Sequence, residues 1–306
     1  MTIILLVFGM ACLVKGADWF VEGSSSVARM LKVPSVIIGL TIVALGTSLP
    51  EASVSITAGL VGNNELAISN VVGSDIFNTL VVVGASAIIT PFIMDKDIVR
   101  RDLKINVLVS FILAVFVSIN GYLDRFEGLI LIALLVVYIG TLIRSALQNR
   151  TQEDDAKTLS PFMSIVCIVV GVAAIILGGN LVVDSATNIA KAMGLSDTLI
   201  GLTIVSIGTS LPELMTSIVA ARKGESGLSL GNAIGSNILN IIFILGVSSA
   251  LSPIAALTEN IIDAWILVVI ACFILWMSRK DDQMTRNKGI LFVAIYVVYL
   301  IYIILR

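Results

Sequence analysis

One 13-residue string occurs twice in this chain. Residues 39–51 read GLTIVALGTSLPE and residues 201–213 read GLTIVSIGTSLPE, identical at 11 positions and separated by an offset of 162. The same offset aligns SNVVGSDIFN (69–78) with GNAIGSNILN (231–240), where Asn70, Gly73, Ser74, Ile76 and Asn78 recur. It also aligns Gly16 with Gly178, Glu22 with Asp184 and Arg29 with Lys191. A single offset over separated blocks marks an internal repeat. The fold must therefore be built from two copies of one unit.

The unit belongs in a membrane. Hydrophobic residues make up 58% of the 306, charged residues 13%, and mean hydropathy is +1.06; a soluble domain carries about 45–50% and roughly 25%. Apolar stretches fall at 3–23, 34–60, 66–91, 103–121, 126–147, 161–183, 196–220, 227–252, 261–277 and 288–305. At about 20 residues per span, the pattern predicts an all-α integral membrane protein of ten transmembrane helices. The division is a first five-helix repeat (1–147), a cytoplasmic linker (148–160) and a second five-helix repeat (161–306). Five is odd, so the second copy enters from the opposite face and the repeat is inverted. Transporters use that arrangement to build two gates around a midplane site.

Lysine and arginine set the orientation. With the N-terminus outside, cytoplasmic segments hold 15 of the 19 basic residues, and the outside keeps Arg125, Lys191 and Arg306. Both termini are thus expected outside a cell (inner or plasma) membrane. The first stretch has no basic residue before Lys15 and lacks the charged start of a cleaved signal, so it reads as a retained helix. The absence of histidine removes imidazole bases and His-ligated zinc. A net charge of −2 gives no basic footprint for nucleic acid. Cys12, Cys167 and Cys272 read as small core hydrophobes. No cofactor, enzymatic activity or protein partner is inferred; the partners are the bilayer and transported ions.

GTSLPE falls in the middle of an apolar span in each half. Pro50 and Pro212 lack an N–H and clash one turn back, so helices 2 and 7 should break there. A break at membrane depth is tolerated only where freed carbonyls face protein or a wet cavity. The break offers backbone oxygens, the hydroxyls of Thr47, Ser48, Thr209 and Ser210, and one carboxylate per half, Glu51 and Glu213. Two such carboxylates facing each other repel unless a cation or protons intervene. Calcium, with 6–8 hard oxygen ligands at about 2.3–2.6 Å, suits this inventory. Ser74 with Asn78, and Ser236 with Asn240, are four apart and share a helical face, giving a second layer of neutral oxygens. Asp75, about 100° further round than Ser74, is expected to point sideways, without a ligand role. Lys15 is expected to snorkel or pair with Asp18, and Glu22 and Asp184 to be interfacial, with a vestibule role as the alternative. Gly73 and Gly235 read as packing positions, and Trp19, Trp265 and Trp276 as interface anchors.

Two copies of G-T-S-L-P-E, each followed by a G-S-x-I-x-N block, resemble the repeats of the sodium/calcium exchanger family, in a compact prokaryotic form. The resemblance implies ten helices with the second and seventh broken. It implies calcium held by Glu51, Glu213 and the carbonyls of Thr47 and Thr209. Flanking sodium sites then fall on Ala44, Ser48, Ser74 and Asn78, and on Ser206, Ser210, Ser236 and Asn240. It further implies sodium entry driving calcium out, mutually exclusive occupancy of the glutamates, and sliding of the first and sixth helices. Some relatives carry an acid where this chain has Asn240, which weakens the case for potassium cotransport.

A proton/calcium antiporter of the same architecture is the main rival, because paired glutamates also carry protons; the hydroxyl-rich surroundings favour sodium. A calcium channel would need neither the inverted repeat nor two isolated carboxylates. A membrane hydrolase lacks a base for the motif serines.

Overall fold

In hydrocarbon only a helix satisfies its own backbone polar groups, and the apolar runs fold accordingly. The computed structural model describes residues 2–60, 65–96, 98–149, 158–194 and 206–306. The first half contains α1 (Thr2–Leu31), α2 (Ser35–Thr47), α3 (Leu49–Leu60), α4 (65–89), α5 (Ile98–Asn120) and α6 (Arg125–Gln148). The second contains α7 (Pro161–Ala192), a short turn Ser206–Gly208, α8 (Leu211–Arg222), α9 (Ser226–Leu251), α10 (Thr258–Lys280) and α11 (Arg286–Leu305). Among the described residues, eight helices are long and apolar enough to cross a membrane, and the bent pair α2–α3 makes a ninth. The tenth expected span, 196–220, runs partly through residues outside the described set, as does most of the 148–160 linker; α8 is the far part of that span.

Helix ends follow local chemistry. Asp124 caps α6 by accepting from Glu127 N at 2.8 Å, while Glu127 accepts from Asp124 N at 2.9 Å, a reciprocal capping box. Ser160 caps α7, with Pro161 as its first residue. Two short antiparallel strand pairs tie loops together: β1 (Phe92–Ile93) with β4 (Gln283–Met284), and β2 (Tyr122–Leu123) with β3 (Ile254–Ala255). Each pair joins two loops that the charge pattern assigns to one side of the membrane.

α1 and α7 run antiparallel and outlast the expected 3–23 and 161–183. Glycine permits their approach. A Cβ on Gly16 would stand 2.9 Å from Gly171 O, and one on Gly178 would stand 2.7 Å from Gly9 O and from Leu13 N. Backbone meets backbone here, as small residues allow in membranes. Leu13, Ala17, Phe20, Val21 and Ile175 belong to a core of their own, shared with Ile38, Val43, Ala220 and Leu228. A second, larger core joins α2, α4–α6 and α9–α11. Within it Gly235 packs as expected: its Cβ would stand 2.7 Å from Leu40 Cα.

Some polar expectations change. Asp18 pairs with Lys223 at 2.6 Å, not with Lys15, because the end of α8 lies beside α1; Lys15 is exposed. Cys272 is exposed and Cys12 and Cys167 half-buried, so none is a core residue. Trp19, Trp265 and Trp276 are exposed on the outer surface.

Candidate functional site

The two motif copies place a serine of similar backbone conformation just before the motif helix. Ser48 (φ −82°, ψ 7°) separates α2 from α3, which meet at 50°. Ser210 (φ −91°, ψ 4°) precedes α8. Pro50 and Pro212 follow as the second residues of α3 and α8, where a missing N–H costs nothing. Across the first break Ser48 N donates to Ala44 O and Ala52 N to Ser48 O, each at 3.0 Å. None of the described bonds across that break ends on the Thr47 carbonyl, which leaves it available as an oxygen ligand.

Glu51 and Glu213 sit in the first turns of α3 and α8, where the helix dipole favours a negative charge. Both are fully buried. Their hydrogen bonds cross between the halves. Ser48 Oγ donates to Glu213 Oε1 at 3.0 Å, and Ser210 Oγ lies 3.4 Å from Glu51 Oε1. Ser74 Oγ lies 3.4 Å from the same Glu51 oxygen and 3.0 Å from Ser210 Oγ. The second oxygen of each glutamate, Oε2, is buried without a protein partner. Among the described residues no ion pair reaches either carboxylate. Two buried carboxylate oxygens without protein partners, beside the hydroxyls of Ser48, Ser74 and Ser210, are hard donor atoms suited to a cation.

The other expected residues take distinct places. Thr47 is buried, with Oγ1 2.9 Å from Asn232 Oδ1. Ser236 Oγ lies 3.5 Å from the Ala44 carbonyl. Thr209 lies in the second break and lines a cavity of about 480 Å³ with Pro50, Pro212, Asn180 and Asp184. Asp184, expected at an interface or in a vestibule, is on the wall of a space that reaches both motif prolines. Asn78 is fully buried and neither amide atom has a partner. Asn240 donates from Nδ2 to Asp75 Oδ1 at 3.0 Å. Ser206 opens the turn before the second break, and its side chain is outside what the structure describes.

Several supporting residues went unassigned in the sequence. Asn232 Nδ2 donates to Glu213 O at 3.2 Å and to Ser217 Oγ at 2.9 Å. Asn70 Nδ2 does the same one repeat earlier, to Glu51 O at 3.4 Å and Ser55 Oγ at 3.1 Å. Both asparagines and both serines recur at the offset of 162, the signal that would have found them. π-helical turns begin at Asn78 (Asn78–Val82) and at Asn240 (Asn240–Leu245); such turns often sit at functional sites. Asp75 is fully buried, so the sideways position expected of it still faces protein.

Apolar spans, a broken helix and a buried, hydrogen-bonded group of oxygens around two carboxylates are the features of a membrane transporter of small cations. The matched family agrees: the model of the sodium/calcium exchanger protein family covers residues 1–144 and 163–305, and the chain belongs to that family. Among relatives, it is 35% identical to the inner membrane protein YrbG of Escherichia coli over 97% of this chain and 94% of that one. It is 31% identical to the sodium/calcium exchanger MaX1 of Methanosarcina acetivorans, covering 97% of each. A solved structure of the sodium-calcium exchanger NCX_Mj, soaked with zero Na+ and Ca2+, superposes with a TM-score of 0.86 at 33% identity, over 99% of this chain and 98% of that one. The chain is thus a multi-pass sodium/calcium antiporter, not an enzyme.

Proposed function

We propose that Glu51 and Glu213 hold calcium between them and that sodium competes for the same carboxylates. The observation that carries this reading is the reciprocal pairing of Ser48 with Glu213 and Ser210 with Glu51, each glutamate keeping one unpartnered buried oxygen. A divalent ion neutralises the pair and is completed by the Thr47 and Thr209 carbonyls. Sodium uses the same glutamates with neutral oxygens from Ala44, Ser48, Ser74, Asn78, Ser206, Ser210, Ser236 and Asn240. Because one set of anionic oxygens serves both ions, occupancy is exclusive, and that competition couples the two gradients. Sodium moving inward drives calcium outward.

The chain works as two five-span halves of opposite orientation, 1–147 and 161–306, joined by 148–160, with both termini outside a cell membrane. Support comes from hydrogen bonds that repeat at one offset and from strand pairs that join same-side loops. The glycine-packed pair α1–α7, with its own core, is suited to slide over the rest and alternate access, and the space lined by Asp184 and Thr209 lies along that boundary.

Radiolabelled calcium uptake into proteoliposomes loaded with sodium, potassium or choline, at equal pH on both sides, tests the reading. Uptake only from sodium-loaded vesicles is expected. Uptake indifferent to sodium but driven by a pH gradient would move the same glutamates to proton exchange, and downhill flux with no counter-ion would mean a channel.

A further inference from the structure

The competition between ions at the glutamate pair makes no use of Asp75, a further fully buried carboxylate. Its side chain has no exposure. Its carbonyl accepts from Asn237 Nδ2 at 3.2 Å and from Thr79 Oγ1 at 2.8 Å, so its backbone is fastened to α9 as well as to its own helix. One carboxylate oxygen accepts from Asn240 Nδ2 at 3.0 Å. The other, Oδ2, is buried without a partner, and so are Asn240 Oδ1 and both amide atoms of Asn78. Among the described residues no lysine or arginine pairs with Asp75. A buried polar atom without a partner costs about 1–3 kcal/mol and a charged one more, so the three unpartnered oxygens, Asp75 Oδ2, Asn240 Oδ1 and Asn78 Oδ1, call for a cation.

That ligand differs from the one between the glutamates. Among the described residues no three acidic side chains converge on a single metal position, so Asp75 does not join Glu51 and Glu213 around one ion. At about 100° per residue, Asn78 falls between Ser74 and Asp75 around α4, bridging the glutamate group and the Asp75 layer. One carboxylate with neutral amide oxygens balances a single positive charge.

We propose that Asp75, oriented by Asn240 and flanked by Asn78, is the anionic ligand of a separate monovalent-cation position beside the glutamate pair, filled by sodium during exchange. The proposal rests on the antiport reading above. It gives the buried site three formal negative charges, so the sodium-loaded state takes up an ion that the calcium-loaded state does not require at the glutamates.

The test compares reconstituted wild type, Asp75→Asn, and the double variant Asp75→Asn/Asn240→Asp, which moves the charge across the existing hydrogen bond. Sodium dependence of calcium efflux and calcium dependence of calcium/calcium self-exchange are both measured. In Asp75→Asn the half-saturating sodium concentration should rise at least about tenfold and the Hill coefficient for sodium should fall by about one. Half-saturating calcium in self-exchange should move less than about threefold. The double variant should regain the sodium dependence. An unchanged sodium dependence in Asp75→Asn, an equal loss for both ions, or no recovery in the double variant would overturn the proposal. If wild type itself takes up calcium without regard to sodium, the antiport reading fails first and the Asp75 position falls with it.

Discussion

Replacing Glu213 by glutamine should move stability and calcium affinity in opposite directions. Glutamine has the same shape, and its Oε1 can keep the 3.0 Å bond from Ser48. The new amide nitrogen takes the place of Oε2, which has no partner to lose. In the ion-free protein the change removes one of two like charges buried in the same hydrogen-bonded group, relieving a repulsion on the order of 1–4 kcal/mol. Ion-free Glu213→Gln should therefore melt no lower than wild type. With calcium bound the outcome reverses. Two carboxylates neutralise a divalent ion, whereas one leaves an uncompensated buried unit charge, which costs about 3–5 kcal/mol. That corresponds to a calcium affinity lower by roughly 150- to 5,000-fold. Melting curves in calcium-free detergent, then with calcium added, measure both effects: wild type should gain stability as calcium saturates it, and the variant should not. A Glu213→Gln protein that exchanges calcium with near wild-type half-saturation would refute the pairing argument, and one that melts well below wild type without ions would refute the isosteric one.

Other expectations rest on separate parts of the molecule. Asn232→Ala deletes donations to Glu213 O and Ser217 Oγ and the acceptor for Thr47 Oγ1, and at about 1 kcal/mol per bond should cost about 2–4 kcal/mol. Asn70→Ala, whose bonds are longer and whose side chain is half-buried, should cost less in the same melting assay; an equal loss would contradict the geometry. Gly178→Leu pushes a Cβ toward Gly9 O and Leu13 N, prises α1 from α7 at about 1–3 kcal/mol and should slow exchange. Gly140→Leu, with nothing within 4 Å, should leave melting unmoved. In a background lacking Cys12, Cys167 and Cys272, a cysteine at Glu259 should label from outside and one at Asp282 only from inside; the reverse pattern would invert the topology.

The sequence made the break, the carboxylate pair and the motif hydroxyls legible because all lie in short strings repeated at one offset. The burial of Asp75 was not legible, for a physical reason. Reading a residue about 100° round from Ser74 as lateral assumes a helix with one buried face. In α4 Val71, Val72, Ser74, Ile76, Phe77, Thr79 and Leu80 are buried with Asp75, so every direction leads to protein. The π-helical turns after Asn78 and Asn240 were invisible because the local winding departs from 3.6 residues per turn within an unbroken apolar run, which hydropathy cannot register. The lengths of α1 and α7 were underestimated because their ends are polar. Ser24, Ser25 and Ser26 are buried against neighbouring protein, so the helix continues where an apolar count stops.

The crossing of the hydrogen bonds bears on how the halves communicate. Had each glutamate bonded only within its own repeat, an ion could fill one half without consequence for the other. Instead the serine preceding each motif helix reaches the glutamate of the opposite half, and Ser74 joins Ser210 to Glu51 across the same divide. A cation that claims Glu213 Oε1 must compete with Ser48, next to the first-half break. One that claims Glu51 Oε1 must compete with Ser210, beside the second. At the proposed ion site, binding would perturb both motif segments at once, so that two gates would respond to a single occupancy. Ser48→Ala and Ser210→Ala each remove one crossing while sparing both carboxylates. If the crossings carry the coupling, each variant should weaken the linkage of calcium efflux to the sodium gradient more than it weakens calcium/calcium self-exchange, measured in the same vesicles. Equal losses in the two modes would confine the serines to holding the carboxylates in place.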